Sequence, residues 1–295
     1  MAINVICDTT RVVSIDEFVD YVHGHVDVRD PDSVIAAAPM LQGLANDRQL
    51  VVERLNQQIK LLFQHRAVSS GQVIFLAQGK EFYVRANVWP SSADVANGRI
   101  YQDQFSYNIA HDHNYPFLTA NYFGPGYVTD IYEYDFKKVQ GYVGEKVDLH
   151  FLGRTLFGPN NVMYYRASTD VHTQYPPDDL SITLNLMIAT PEVQITDQYF
   201  FDLDTKEVIA YPPELDSARR ISMLKMAGLC GDADTMQLLT DIASSHPCRR
   251  TRLNAFEQMA ILAPQERESI WNLAARDAEP LVNGAARRRL RGIEN

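Results

Sequence analysis

Ala110-His111-Asp112-His113-Asn114 is the stretch on which the reading of this chain turns. Side chains alternate faces along a β-strand, so His111 and His113 point the same way, one pleat apart. Two imidazoles converging on one point are how a strand supplies two ligands to a metal, and imidazole suits Fe, Zn, Cu or Ni. The surroundings favour a strand. Val73-Ile74-Phe75 and Phe82-Tyr83-Val84 precede the motif, and Val162-Met163-Tyr164-Tyr165 and Ile182-Thr183-Leu184 follow it. Turn residues bound these runs at Gln78-Gly79, Gly124-Pro125-Gly126, Gly158-Pro159-Asn160-Asn161 and Pro176-Pro177-Asp178-Asp179. Many short strands at this cadence, without helices between them, predict an antiparallel sandwich or barrel from Gly71 to about Tyr211.

Other candidates are weighed against this pair. His172 stands in the same β-rich zone just before another predicted strand, and supplies a third imidazole. Glu133, in Ile131-Tyr132-Glu133-Tyr134, would be costly to bury alone among aromatics. It either completes a metal site as a carboxylate ligand or pairs with a nearby Arg or Lys. His150 beside Phe151 reads as a packed or edge residue. His23 and His25 repeat the spacing at the end of a predicted helix, where positions i and i+2 diverge, and carry little metal weight.

Outside the β zone the periodicity becomes helical. Ser14 and Glu17 form a capping box, and Phe18, Val22, Leu55, Ile59 and Leu62 recur at three- and four-residue spacing up to about Arg66. Asp30-Pro31 and Ala38-Pro39 cut this zone into short helices. Beyond Pro212, apolar stripes run through Ile221-Leu224-Leu229, Met236-Leu239-Ile242, Leu253-Phe256-Met259 and Ile270-Leu273. The segments after His246-Pro247 and Glu279-Pro280 look like two turns of a weak repeat about 33 residues long, similar to HEAT-like helical pairs. Arg287, Arg288, Arg289 and Arg291 read as a solvated last helix turn that complements the helix dipole. The predicted class is therefore α+β, with a helical N-terminal region over 1–70, a β-domain over 71–212 and a helical C-terminal region over 213–295.

Bulk composition narrows the function. The 295 residues carry 27 Lys and Arg against 37 Asp and Glu, a net charge of -10, which disfavours nucleic acid and anionic membranes as partners. No apolar run is long enough to span a membrane and no basic leader opens the chain, so a cytoplasmic location is expected. Cys7, Cys230 and Cys248 lack CxxC spacing, which argues against a disulfide framework or a thiolate zinc site and leaves histidine or carboxylate to hold any metal.

The order HxH, acid, Gly-Pro-rich turn and His, within a many-stranded domain, resembles the cupin superfamily. Tyr83-Val84-Arg85, a strand from Ser106 to Ala110, His111-Asp112-His113, Phe117-Leu118, Tyr132-Glu133, Asp170-Val171-His172, Leu180-Ser181 and Leu184 through Pro191 resemble its cysteine dioxygenase (thiol dioxygenase) branch. The resemblance covers about residues 80 to 205, less than half of the chain. It implies a jelly-roll fold, Fe(II) held by His111, His113 and His172, Glu133 outside the ligand set, and Arg85 on the substrate carboxylate. Zn, Mn or Ni are the alternative metals. Two departures stand out. Leu118 occupies the place of the family's thioether-forming cysteine, and Asn185 and Met187 stand near its downstream Ser-His-Tyr group, which puts a thiol substrate in doubt. A phenol from Tyr122, Tyr132, Tyr164 or Tyr165 could serve instead. Either Arg85 or Arg166 would fix a carboxylate, and Asn185 could orient a ligand or the bound oxygen.

The expected function is an oxygenase that brings O2 and a small carboxylate-bearing substrate together on the metal. A cupin isomerase or lyase without O2 chemistry is the alternative, as is a small-molecule sensor or interaction protein. The helical regions either cover a sheet edge or barrel mouth, or offer surfaces for a homo-oligomer.

Overall fold

The computed structural model describes residues 2–63, 72–98, 105–212 and 216–292. The expected helix end at Arg66 and the boundaries at 70–71 and at 213 lie outside them. The chain folds as two compact units, Met1–Asp135 with Asp148–Thr190, and Phe136–Val147 with Pro191–Asn295.

The first unit begins with β1 (Ile3–Ile6), α1 (Ile15–His25), α2 (Pro31–Ala36), α3 (Ala38–Ala45) and α4 (Leu50–Phe63). After these come β2 (Val73–Gln78), β3 (Phe82–Trp89), α5 (Ser92–Ala96), β4 (Ala110–Asp112), β5 (Phe117–Phe123), β6 (Tyr127–Glu133), β7 (His150–Phe157), β8 (Asn161–Tyr165), β9 (Asp170–Gln174) and β10 (Ser181–Ile188). Its helix starts follow the sequence signals. The Ser14 hydroxyl accepts from the Glu17 N–H at 3.2 Å, and the Asp30 carboxylate accepts from Asp32 N–H ahead of Pro31. The Glu17 carboxylate is engaged by Arg11.

One sheet has the order β1-β8-β5-β10-β3-β2, and the other runs β4-β9-β6-β7 within this unit, all antiparallel. No strand among the described residues belongs to both sheets. Of the two expected architectures, sandwich and barrel, this is the sandwich and not a closed barrel. β1 was not anticipated, because its four mostly exposed residues carry no alternation and their extended form depends on pairing with β8.

Period-two alternation divides the first sheet into two faces. Even-numbered Val84, Ala86, Leu118, Ala120, Val162, Tyr164, Leu184 and Leu186 pack with Phe18, Val22, Val34, Leu41 and Leu44 of the N-terminal helices. Each such large aliphatic contributes about 1.5–3 kcal/mol on burial. Odd-numbered Trp89, Phe117, Met163, Tyr165 and Met187 face inward and join Tyr127, Ile131 and Phe157 of the second sheet. At the turn into β6, Gly126 has φ +83°, and a Cβ there would meet the Phe157 carbonyl oxygen at 1.8 Å.

The second unit holds the pair β11 (Phe200–Asp202) and β12 (Glu207–Ala210), then α6 (Asp216–Cys230), α7 (Ala233–Ser245), α8 (Arg249–Leu262), α9 (Arg267–Ala274) and α10 (Pro280–Leu290). Phe256, Met259, Trp271, Leu239 and Val282 centre its core. α6 lies so close to α8 that a Cβ at Gly228 would meet Gln258 Oε1 at 2.4 Å. Two residues of the expected C-terminal stripes, Leu229 and Leu273, are exposed, as are Leu55 and Ile59 of the expected N-terminal stripe. Arg289 departs from a solvated last turn: it pairs with Glu257 at 2.6 Å and covers the Trp271 ring. No described helix is long and apolar enough to cross a membrane.

Candidate metal centre

β4 lies beside β9 with His111 opposite His172, so the two are cross-strand neighbours. His172 therefore sits within a strand and not before one. His113, two residues after His111 and just past the end of β4, is tied by a Ser168 N–H donating to its carbonyl at 2.7 Å. Their ligand atoms all lie within 4.8 Å of one another. His172 Nε2 is 3.1 Å from His111 Nε2 and 3.2 Å from His113 Nε2.

Burial sets their charge. His111 and His172 are almost wholly buried, whereas His113 is partly open. Loss of water pushes the His111 pKa down to about 4, against the hydrogen bond with the Ile109 carbonyl, which raises it. His172 is lowered well below the ordinary value, first by burial and then by His111. Both rings are neutral at pH 7, the form in which imidazole ligates a metal. The Ile109 carbonyl, 2.9 Å from His111 Nδ1, draws the proton to that nitrogen and leaves the lone pair on Nε2.

The arrangement fits a shared cation. His172 Nε2 also has the Gln174 amide nitrogen at 3.2 Å. One ring nitrogen carries a single lone pair or a single hydrogen and cannot satisfy three such neighbours. Nitrogens 3.1 and 3.2 Å apart can instead share one ion at metal–nitrogen bonds of about 2.0–2.1 Å. Gln174 Oε1 is buried without a hydrogen-bond partner among the described residues, and it is an acceptor suited to Nδ1–H of His172 once Nε2 ligates.

Aromatic rings wall the site. Tyr165 meets His172 edge-on at 4.5 Å, Phe117 meets His113 at 5.0 Å, and Tyr115 stacks on His113 at 4.9 Å. Burial pushes the Tyr115 hydroxyl up to about 12, opposed by the nearby Arg85 guanidinium. Tyr115 is absent from the sequence-based candidates. The alternation His111, His113, Tyr115, Phe117 was the signal for it.

The remaining candidates fall as follows. Arg85 and Asn185 are register partners on β3 and β10, on the inward face. Arg85 Nε and Asn185 Nδ2 have no hydrogen-bond partner among the described residues. Tyr164 belongs to the opposite face, in the cluster with the N-terminal helices, and its neighbour Tyr165 faces His172. Tyr122 lies in that same cluster, and Tyr132 packs on Phe151. The Glu133 carboxylate accepts from Arg166 Nη2 at 3.0 Å, which holds its pKa down, and it stands outside the three-histidine group. Arg166 is also bound to Asp170. His150 pairs with Asp148 on the surface, His23 packs on Phe82, and His25 stacks on Tyr21. Leu118 is on the helix-covered face, away from the histidines.

No protein-family model matches the chain, and no curated protein matches it. Solved structures show a distant likeness. A DMSP lyase from Ruegeria pomeroyi DSS-3 is 13% identical over 48% of this chain and 53% of its own, with a TM-score of 0.23. A hydroquinone 1,2-dioxygenase from Sphingomonas sp. TTNP3 is 8% identical over 41% and 67%, with a TM-score of 0.27. A cupin domain from Bordetella pertussis Tohama I is 9% identical over 42% and 100%, with a TM-score of 0.21. The match spans about half the length of the lyase.

Proposed function

We propose that this chain is a cupin-type metalloenzyme, a non-haem Fe(II)-dependent oxygenase acting on a small carboxylate-bearing substrate such as an amino acid or related metabolite. One observation carries the reading: two further imidazole nitrogens meet His172 Nε2 at 3.1 and 3.2 Å, on the side of the sandwich that Arg85 also faces. Fe(II) on three neutral imidazoles keeps coordination positions open and would supply Lewis-acid and redox chemistry toward O2 and substrate.

The chain's own residues do the rest. Arg85 presents a planar fork suited to a carboxylate, while Arg166 is committed to Asp170 and Glu133. The Tyr115 phenol stands between the two halves of the site, stacked on His113 and near the Arg85 guanidinium. With its pKa pushed up to about 12, it stays protonated and can donate a hydrogen bond rather than remove a proton. Asn185, beside Arg85 in register, offers a further N–H donor to a bound anion. Phe117 and Tyr165 exclude water from the buried side and hold the rings in place.

The test is metal analysis of anaerobically purified protein, followed by oxygen uptake on a panel of thiol and non-thiol carboxylates. The reading expects iron at up to one per chain and substrate-dependent oxygen consumption that follows iron loading. Turnover under nitrogen with Zn, Mn or Ni would replace it with an isomerase or lyase. Biological output that survives loss of all three imidazoles would replace it with a sensing or scaffolding role.

A further inference from the structure

The polar lining of the sandwich interior continues past Arg85. Strands β5, β10 and β3 carry it in two adjacent rows. Thr119, Asn185 and Arg85 align in the first, and Asn121, Thr183 and Asn87 in the second. All six are odd-numbered and share the inward face with Phe117, Met187 and Trp89. A wholly apolar interior would have bound these sheets together at least as well, so the polar rows need another explanation.

The second row is the more informative. Asn87, Asn121 and Thr183 are 9%, 7% and 0% exposed. Asn87 Oδ1 and Asn121 Nδ2 have no hydrogen-bond partner among the described residues, and Thr183 Oγ1 accepts from Trp89 Nε1 at 3.1 Å. Buried polar atoms are nearly always paired in native proteins, and an orphan destabilises the fold. Here an orphaned acceptor and an orphaned donor flank the Thr183 strand from either side. The row holds no charged residue. It lies two residues along the strands from Arg85, a separation of about 7 Å.

We propose that Asn87, Asn121 and Thr183 form a subsite for a neutral group that both donates and accepts hydrogen bonds, a carboxamide or hydroxyl, on the substrate whose carboxylate Arg85 holds. This rests on the carboxylate reading above and adds the substrate class: an acid that carries a neutral hydrogen-bonding tail. An apolar tail would leave both orphans unpaired. A second carboxylate would enter a buried row that offers it no cation.

Calorimetric titration of the full-length protein with glutarate monoamide, glutarate and hexanoate tests this. The monoamide is expected to bind at least about ten-fold tighter than either comparison acid. Asn87→Leu and Asn121→Leu should each remove that advantage and leave hexanoate binding within about two-fold, while the thermal midpoint holds or rises because an orphaned polar group has been replaced by an apolar one. Should a leucine variant fail to fold, Asn121→Ser carries the same comparison. A preference that is absent in the wild type, or that survives both asparagine substitutions, overturns the subsite and makes the row a structural water site. Arg85→Met separates the two readings: it should weaken all three acids alike, and unchanged binding in that variant refutes the carboxylate anchor instead.

Discussion

Substituting His172 by glutamine gives the sharpest test of the metal centre, because it removes one nitrogen without placing a charge in the interior. His172 is 1% exposed and packed between His111, Tyr165 and Phe117. Its pKa is held well below the ordinary value, so the folded protein already carries it neutral and the metal-free variant should fold. An ion that binds only the folded state stabilises it by about 2.7 kcal/mol at one hundred times its Kd. A unit of this size shifts its midpoint by about 2–4 °C per kcal/mol, so saturating metal should raise the melting temperature by roughly 5–11 °C. The assay is thermal unfolding of chelator-treated protein at pH 7.5, followed by circular dichroism, with Fe(II) under nitrogen and with Zn, Mn and Ni in parallel. The wild type should show the shift, and His172→Gln should lose it while unfolding at a similar temperature without metal. An equal metal shift in both proteins would place the ion elsewhere. No shift in the wild type with any of the four metals would refute the centre itself.

Further predictions concern the framework. Leu184→Ala, at a fully buried position between the first sheet and the N-terminal helices, should cost about 2.7–5.0 kcal/mol in urea unfolding; a loss under 1 kcal/mol would mean that the site collapses onto the void. In the second unit, Arg250 Nε lies 2.8 Å from Asp197 Oδ1, with both side chains buried. Asp197→Ala should cost about 3–5 kcal/mol by leaving the guanidinium unpaired, and adding Arg250→Met should restore most of that, which a double-mutant cycle reads directly. His246 Nδ1 accepts from the Cys248 N–H at 3.0 Å, and burial followed by the charges of Arg220 and Arg252 lowers its pKa. The unfolded chain therefore takes up the proton first as pH falls below about 6.5, so this stability is full above that pH and is lost below it. Urea midpoints at pH 7.5 and pH 5 should drop further in the wild type than in His246→Asn, and equal drops would remove this histidine from the account.

Much of the molecule was legible along the chain, for identifiable reasons. Ser14 caps its helix as expected and Asp30-Pro31 marks a helix boundary, because such signals need only residues within three positions. The two faces of β10 follow from strict alternation, which is also local. β1 was missed because its pairing with β8 spans most of the unit. The exposed Leu229 and Leu273 were misplaced because apolar periodicity records a stripe but not the width of the neighbour that covers it. Two expectations for the site fared differently for the same reason. The shared direction of His111 and His113 was a matter of spacing two apart, whereas the partner of Glu133 depended on where β6, β9 and the Arg166 turn meet.

A β-rich stretch between helical segments, and a pair of imidazoles aimed the same way, were legible along the chain because both follow from local periodicity and turn chemistry. The three-dimensional fold was needed to bring His172, already a candidate in the sequence, against the other two imidazoles, to give Glu133 to Arg166, to turn Tyr165 rather than Tyr164 toward the histidines, and to set Tyr115 against His113. Those choices depend on strand register and on which sheet face is covered. Register is set by contacts between residues far apart in the chain, and a shift of one residue would turn every side chain to the other face.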